Sequence, residues 1–90
     1  MDSEVRYPLS DDLKRIIAGE NETVFRMVED RFSVIIHSRL PGLRIEAKGK
    51  KADIQGALSL LDQVKLAAKS GTFLSKRFLS RLADDTTKHS

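Results

Sequence analysis

Hydrophobic periodicity changes twice along this chain, and those two changes constrain the fold more than any other feature. Up to Phe32 the apolar residues recur at helical steps, with Val24, Val28 and Phe32 in line and Phe25 beside them. From Ser33 the period becomes two. Val34, Ile36, Ser38 and Leu40 alternate with Ile35, His37 and Arg39, and beyond Pro41-Gly42 the residues Leu43, Ile45 and Ala47 alternate with Arg44, Glu46 and Lys48. Two alternating runs joined by a Pro-Gly turn predict an antiparallel hairpin with one wet face. At Ala52 helical spacing returns and predicts a long helix to Ser70, whose stripe of Ile54, Ala57, Leu58, Leu61, Val64 and Ala68 must cover the sheet.

The remaining elements follow from local signals. Glu4 to Leu9 reads as a short strand that Pro8 confines to a sheet edge or to its own end. Ser10, followed by Asp11 and Asp12, is a helix start, because its hydroxyl can accept an orphan N–H and the carboxylates meet the positive end of the dipole. Gly19-Glu20-Asn21 breaks that helix near Ala18, and Asn21 or Glu22 opens the next. Gly71 stops the long helix, and Thr72 or Ser75 opens a last one carrying Leu74, Phe78 and Leu82. The order β-α-α-β-β-α-α describes an α+β domain of two layers, an antiparallel sheet with its helices on one face. We expect an N-terminal segment or edge strand over 1–9, the folded domain over 10–84 and a flexible tail over 85–90.

Ninety residues suffice for one small module and are short for an enzyme with its own substrate cleft. The absence of cysteine excludes disulfides, thiolate zinc sites and thiol nucleophiles. No apolar run reaches the length that spans a bilayer, and the acidic N-terminus lacks a secretory pattern, so a soluble cytoplasmic protein with no membrane partner is expected. The formal charge is +3, but it is unevenly spread. Residues 1–32 carry five basic and eight acidic side chains, whereas residues 33–90 carry eleven basic and five acidic ones. A nucleic-acid partner is permitted by this balance and not demanded by it.

The segment Ile16-Ile17-Ala18-Gly19-Glu20-Asn21-Glu22-Thr23-Val24, set between two helices and ahead of a hairpin and a long helix, resembles the K-homology (KH) fold in its βααββα form. Residues 9–83 are similar in more detail to the KH-like N-terminal domain of PhoH-family ATPases. The likeness runs through Gly19, Phe25-Arg26-Met27-Val28-Glu29, Phe32-Ser33-Val34-Ile35-Ile36, Gly49, Ala57, Leu60, Leu61 and Lys69-Ser70-Gly71. The resemblance implies weak RNA binding or a ribosome-associated protein partner, with an ATPase domain C-terminal in cis. ATP would be the cofactor of that domain, since this chain has no phosphate-cradling Gly-x-x-x-x-Gly-Lys-Ser/Thr loop and by itself carries no cofactor and no enzymatic activity. The polar end Thr86-Thr87-Lys88-His89-Ser90 suits excision from such a longer protein.

In nucleic-acid-binding KH domains a Gly-x-x-Gly turn lets the backbone press against phosphates. With Gly19 as the first glycine, Glu22 stands at the fourth position; one residue back the turn reads Ala18-Gly19-Glu20-Asn21, and neither frame has two terminal glycines. The resemblance implies a nucleic-acid site of Gly19, Glu20, Asn21, Arg26 and Arg39 in which Glu20 and Glu22 repel the phosphate path. Each residue also has a plainer role: Gly19 as a helix-stop glycine, Arg26 and Arg39 as solvated charges, and His37 as a sheet-face residue. Asp11-Asp12 and Glu29-Asp30 read as capping and surface acids and not as acid–base pairs. Lys50-Lys51, Lys65, Lys69, Lys76-Arg77 and Arg81 offer a separate basic stripe. A protein-interaction or oligomerisation module that keeps the fold and binds no nucleic acid is the rival reading, and a stand-alone KH protein is the third.

Overall fold

Ser10 begins the first helix because its hydroxyl accepts the Leu13 N–H at 3.2 Å while Asp11 and Asp12 fill the first turn. In the computed structural model, which describes residues 4–19, 22–39 and 41–88, the elements are β1 (Glu4–Tyr7), α1 (Asp11–Ala18), α2 (Thr23–Phe32), β2 (Val34–His37), β3 (Leu43–Ala47), α3 (Ile54–Lys69) and α4 (Lys76–Lys88). Asp53 opens α3 by accepting from Gly56 N–H, and Ser75 opens α4 by accepting from Phe78 N–H at 3.1 Å. Thr72 N–H bonds Ala67 O and Gly71 N–H bonds Ala68 O, the paired closure that a left-handed glycine permits at a helix end.

The three strands form one antiparallel sheet in the order β1-β3-β2, so β1 is an edge strand that ends before Pro8. Val5 faces Ile45 and Tyr7 faces Leu43 across one ladder, while Val34 faces Ala47 and Ile36 faces Ile45 across the other. That set points at the helices, and the alternate set, with Arg6, Arg44 and His37 in one row and Glu4, Glu46 and Ile35 in the next, forms the outer face. The core joins Val24, Phe25, Val28 and Phe32 of α2 to Ala57, Leu60, Leu61 and Val64 of α3 and to Leu79 and Ala83 of α4. This is the expected two-layer α+β domain in the expected order.

Three differences from the sequence-based expectation have physical causes. β2 ends at His37 because the Ser38 carbonyl is taken by the Lys14 ammonium; Leu40 lies outside the described residues. Residues 85–88 of the expected tail belong to α4, which runs to Lys88, and residues 89–90 lie outside the described residues. Thr86 is tied to α3 by the Gln63 amide at 3.1 Å and donates to Leu82 O, and Asp84 pairs with Arg31 of α2 at 2.9 Å. The buried stripe of α3 also includes Leu60, because α3 packs between the sheet side and α4 and therefore buries a wider arc.

The free edge of β2 is blunted by α2: Ile36 N–H, which faces away from β3, donates to the Glu29 carboxylate at 2.9 Å. At the other end of the sheet the Tyr7 hydroxyl donates to Asp62 Oδ1 at 2.7 Å, joining β1 to α3, and Lys65 Nζ lies 5.7 Å from the Tyr7 ring centre. Burial, and then the hydrogen bond and negative charge of Asp62, hold the Tyr7 hydroxyl well above the ordinary phenol value. Because the folded state retains the proton longer than the unfolded state, this contribution to stability is complete below pH of about 10 and is lost as pH rises beyond it. Tyr7 is the only tyrosine. Tyrosinate absorbance at 295 nm is therefore expected to appear only well above pH of about 10, and at lower pH in Asp62→Asn. A titration at the free-phenol value in the folded protein would contradict the Tyr7–Asp62 contact.

Candidate functional site

The turn between α1 and α2 is held by backbone conformation. Gly19 closes α1 with φ 60° and ψ −153°, a region that only glycine occupies readily, and a Cβ built there would meet nothing within 4 Å. Glycine is required there for its dihedrals and not for space. Three residues on, Glu22 opens α2 at φ 54° and ψ 38°, left-handed although it carries a side chain, and that side chain makes no capping bond. It reaches β2 instead: Ser38 Oγ donates to Glu22 Oε1 at 3.2 Å, and Lys14 Nζ of α1 donates to Ser38 O at 3.0 Å. The turn is thereby stitched to the exit of β2. Glu20 and Asn21 lie outside the described residues.

Beside that stitch is a polar cleft of about 580 Å³ lined by Glu22, Ile36, His37, Ser38, Arg39 and Arg44. His37 and Arg44 are cross-strand partners in the β2–β3 register, which brings both to the outer sheet face with Arg39 beyond them. His37 Nε2 lies 2.9 Å from Glu46 Oε1. Arg44 Nε is 3.5 Å from Glu4 Oε2, close enough for ionic attraction, yet this buried nitrogen has no hydrogen-bond partner. The His37 and Arg44 side chains are each about one-third exposed, and at such a position the Arg44–Glu4 pair contributes on the order of 0.2–1 kcal/mol. It does not rigidly commit Arg44.

The described residues of the expected site are not brought into one cleft. Arg39 lines the polar cleft. Arg26, exposed on α2, lines a shallow recess with Thr23, Met27, Asp30 and Arg31. Gly19 borders a third, apolar cleft of about 580 Å³, in which Ile16, Ile17 and Val24 face Phe73, Leu74 and Leu79. What reading the sequence missed is the contribution of His37 and Arg44 to the Arg39 cleft. The signal was the hairpin register, which places those two residues opposite one another.

The basic stripe divides into two kinds of position. Lys69 stands in the last turn of α3, where a cation complements the helix dipole. Lys76 and Arg77 stand in the first turn of α4, with no acid beside them, where the dipole opposes a cation by about 0.3–1 kcal/mol each at a surface position. Helix stability does not account for them.

Among the described residues no cluster of three or more His, Cys, Asp or Glu could hold a metal ion, and no helix is long and apolar enough to cross a membrane. No family model matches the chain, and neither does any curated protein or solved structure.

Proposed function

We propose that this chain is a non-catalytic, KH-like binding module that contacts single-stranded RNA weakly, through the polar cleft of His37, Arg39 and Arg44 beside the α1–α2 turn. The observation that carries this reading is the backbone at Gly19 and Glu22. In the Gly-x-x-Gly frame these are the two terminal positions, and both have positive φ, at 60° and 54°. A left-handed residue at each end of a four-residue turn is the geometry that favours glycine there, and the bond from Ser38 to Glu22 sets that turn against the exit of β2, next to Arg39. Arg39 and Arg44 supply charge to phosphates, while the half-buried Ile36 supplies a surface for a base. The Glu22 carboxylate on the same cleft opposes them, so affinity is low and falls steeply with salt. The PhoH resemblance adds that the module works beside an ATPase domain in cis, in the cytoplasm, and positions RNA or a ribosome-associated partner near that motor.

The test is a titration of the labelled chain with a decauridylate at low salt, followed by amide shifts. Binding in the tens of micromolar or weaker is expected, with perturbations at Gly19, Ile36, His37, Arg39 and Arg44. Glu22→Gly removes a left-handed side chain and a carboxylate together with the exposed Ser38 contact, and is expected to tighten binding several-fold. Shifts confined to Lys65, Lys69, Lys76, Arg77 and Arg81, or no shifts at all, would sink the proposal.

A further inference from the structure

Large apolar side chains are left open at very few points on this surface. Among the described residues they are Ile16, 55 % exposed, Leu66, 65 % exposed, and Phe73, 84 % exposed. Ile16 and Phe73 stand on the same cleft, the apolar one of about 580 Å³ between the α1–α2 turn and the link joining α3 to α4. Its floor is Ile17, Val24 and Leu79, all buried, so the cleft is an inlet to the core rimmed by two exposed hydrophobes. An aromatic ring left this open in a link between helices gains nothing from folding.

On the side of the link and α4 the charge has one sign. From Gln63 to Ala83 the chain carries Lys65, Lys69, Lys76, Arg77 and Arg81 and no carboxylate. Lys76 lines the cleft itself and begins α4 with Arg77, against the direction of the helix dipole. No ion pair engages either cation among the described residues.

From these observations we infer that this cleft receives an amphipathic segment of an acidic partner protein, with a bulky apolar side chain seated between Ile16 and Phe73 and carboxylates facing Lys76 and Arg77. Phe73 is the one aromatic side chain of a lining whose apolar part is otherwise aliphatic, with Thr23, Thr72, Ser75 and Lys76 as its polar members, which suits a Leu, Met or Trp anchor better than a stacked base. Its concavity suits a protruding side chain and not a flat bilayer. The site is separate from the polar cleft, so this inference and the RNA reading stand or fall independently.

The experiment uses the full 90-residue chain and a synthetic helical peptide of roughly sixteen residues, with Leu and one Trp at three- and four-residue steps and Glu elsewhere. Amide shifts are expected at Ile16, Val24, Phe73 and Leu79. Phe73→Ser, at a position too exposed to alter the thermal midpoint, is expected to weaken binding at least about tenfold, and Lys76→Glu with Arg77→Glu several-fold. The same peptide with Lys in place of Glu is expected to bind at least about tenfold more weakly. Arg39→Ala is expected to leave peptide binding unchanged. The inference is overturned if the two peptides bind equally or not at all, or if Phe73→Ser has no effect. It is equally overturned if a decauridylate or vesicles of phosphatidylglycerol and phosphatidylcholine shift these amides more strongly than the acidic peptide. Self-association lost in Phe73→Ser, seen by sedimentation, would assign the cleft to a second copy of this chain and also overturn it.

Discussion

Leu61→Ala is expected to lower the free energy of unfolding by about 2–5 kcal/mol, a large share of what a domain of this size possesses. Leu61 is fully buried on α3, and its neighbours Leu60 and Val64 are closed to solvent as well. α3 packs against α1, α2, β3 and α4, so the surroundings of Leu61 cannot collapse into a vacated volume without moving several elements at once. The loss therefore combines the transfer of the removed carbons with the cavity left behind. Denaturant unfolding measures it as a lower midpoint at unchanged slope. Leu66→Ala is the internal control: Leu66 lies on the same helix but 65 % exposed, and its removal is expected to change stability by no more than about 0.5 kcal/mol. The reverse ranking would mean that α3 presents its other face to the sheet.

That ranking was largely legible in the sequence, because the stripe of Ile54, Leu58, Leu61 and Val64 has helical spacing and the hairpin after Ser33 has spacing two. Periodicity reports which face an element buries against one neighbour. It does not report further neighbours, and α3 packs against α1, α2 and α4 as well as β3, which is why the buried Leu60 was not part of the stripe. Nor does it report contacts whose partners lie far apart in the chain. The bond from Tyr7 to Asp62 spans 55 residues and that from Arg31 to Asp84 spans 53, and neither leaves a local pattern. The candidate site suffers from the same limit. Gly19 is visible as a helix-ending glycine, but the joining of Glu22 to Ser38, and of His37 and Arg44 to the cleft of Arg39, depends on how α1, α2 and the hairpin meet. A resemblance supplied one site where the structure has separate clefts at Gly19, Arg26 and Arg39.

Gly42→Ala is expected to destabilise the domain by about 2–4 kcal/mol, through two effects that add at one atom. Gly42 has φ +73°, so any side chain there is strained. A Cβ would also stand 2.9 Å from Tyr7 O and 3.5 Å from Leu9 N, which are backbone atoms at the exit of β1 and cannot turn aside as a side chain can. The loop between β2 and β3 must then move away from β1, and Arg39 belongs to that loop. Gly19→Ala separates the two effects, because Gly19 also has positive φ but open space around it, and there only the backbone strain of about 1–3 kcal/mol remains. The functional consequences also differ. Displacing the β2–β3 loop changes the polar cleft at Arg39 and is expected to shift the amides of His37 and Arg44, whereas the cleft at Phe73 lies against α1, α2 and α4 and is expected to keep its spectrum. Equal losses for Gly42→Ala and Gly19→Ala, measured by denaturant midpoint, would mean that the close approach to Tyr7 and Leu9 contributes nothing and that the hairpin turn is held by its dihedrals alone.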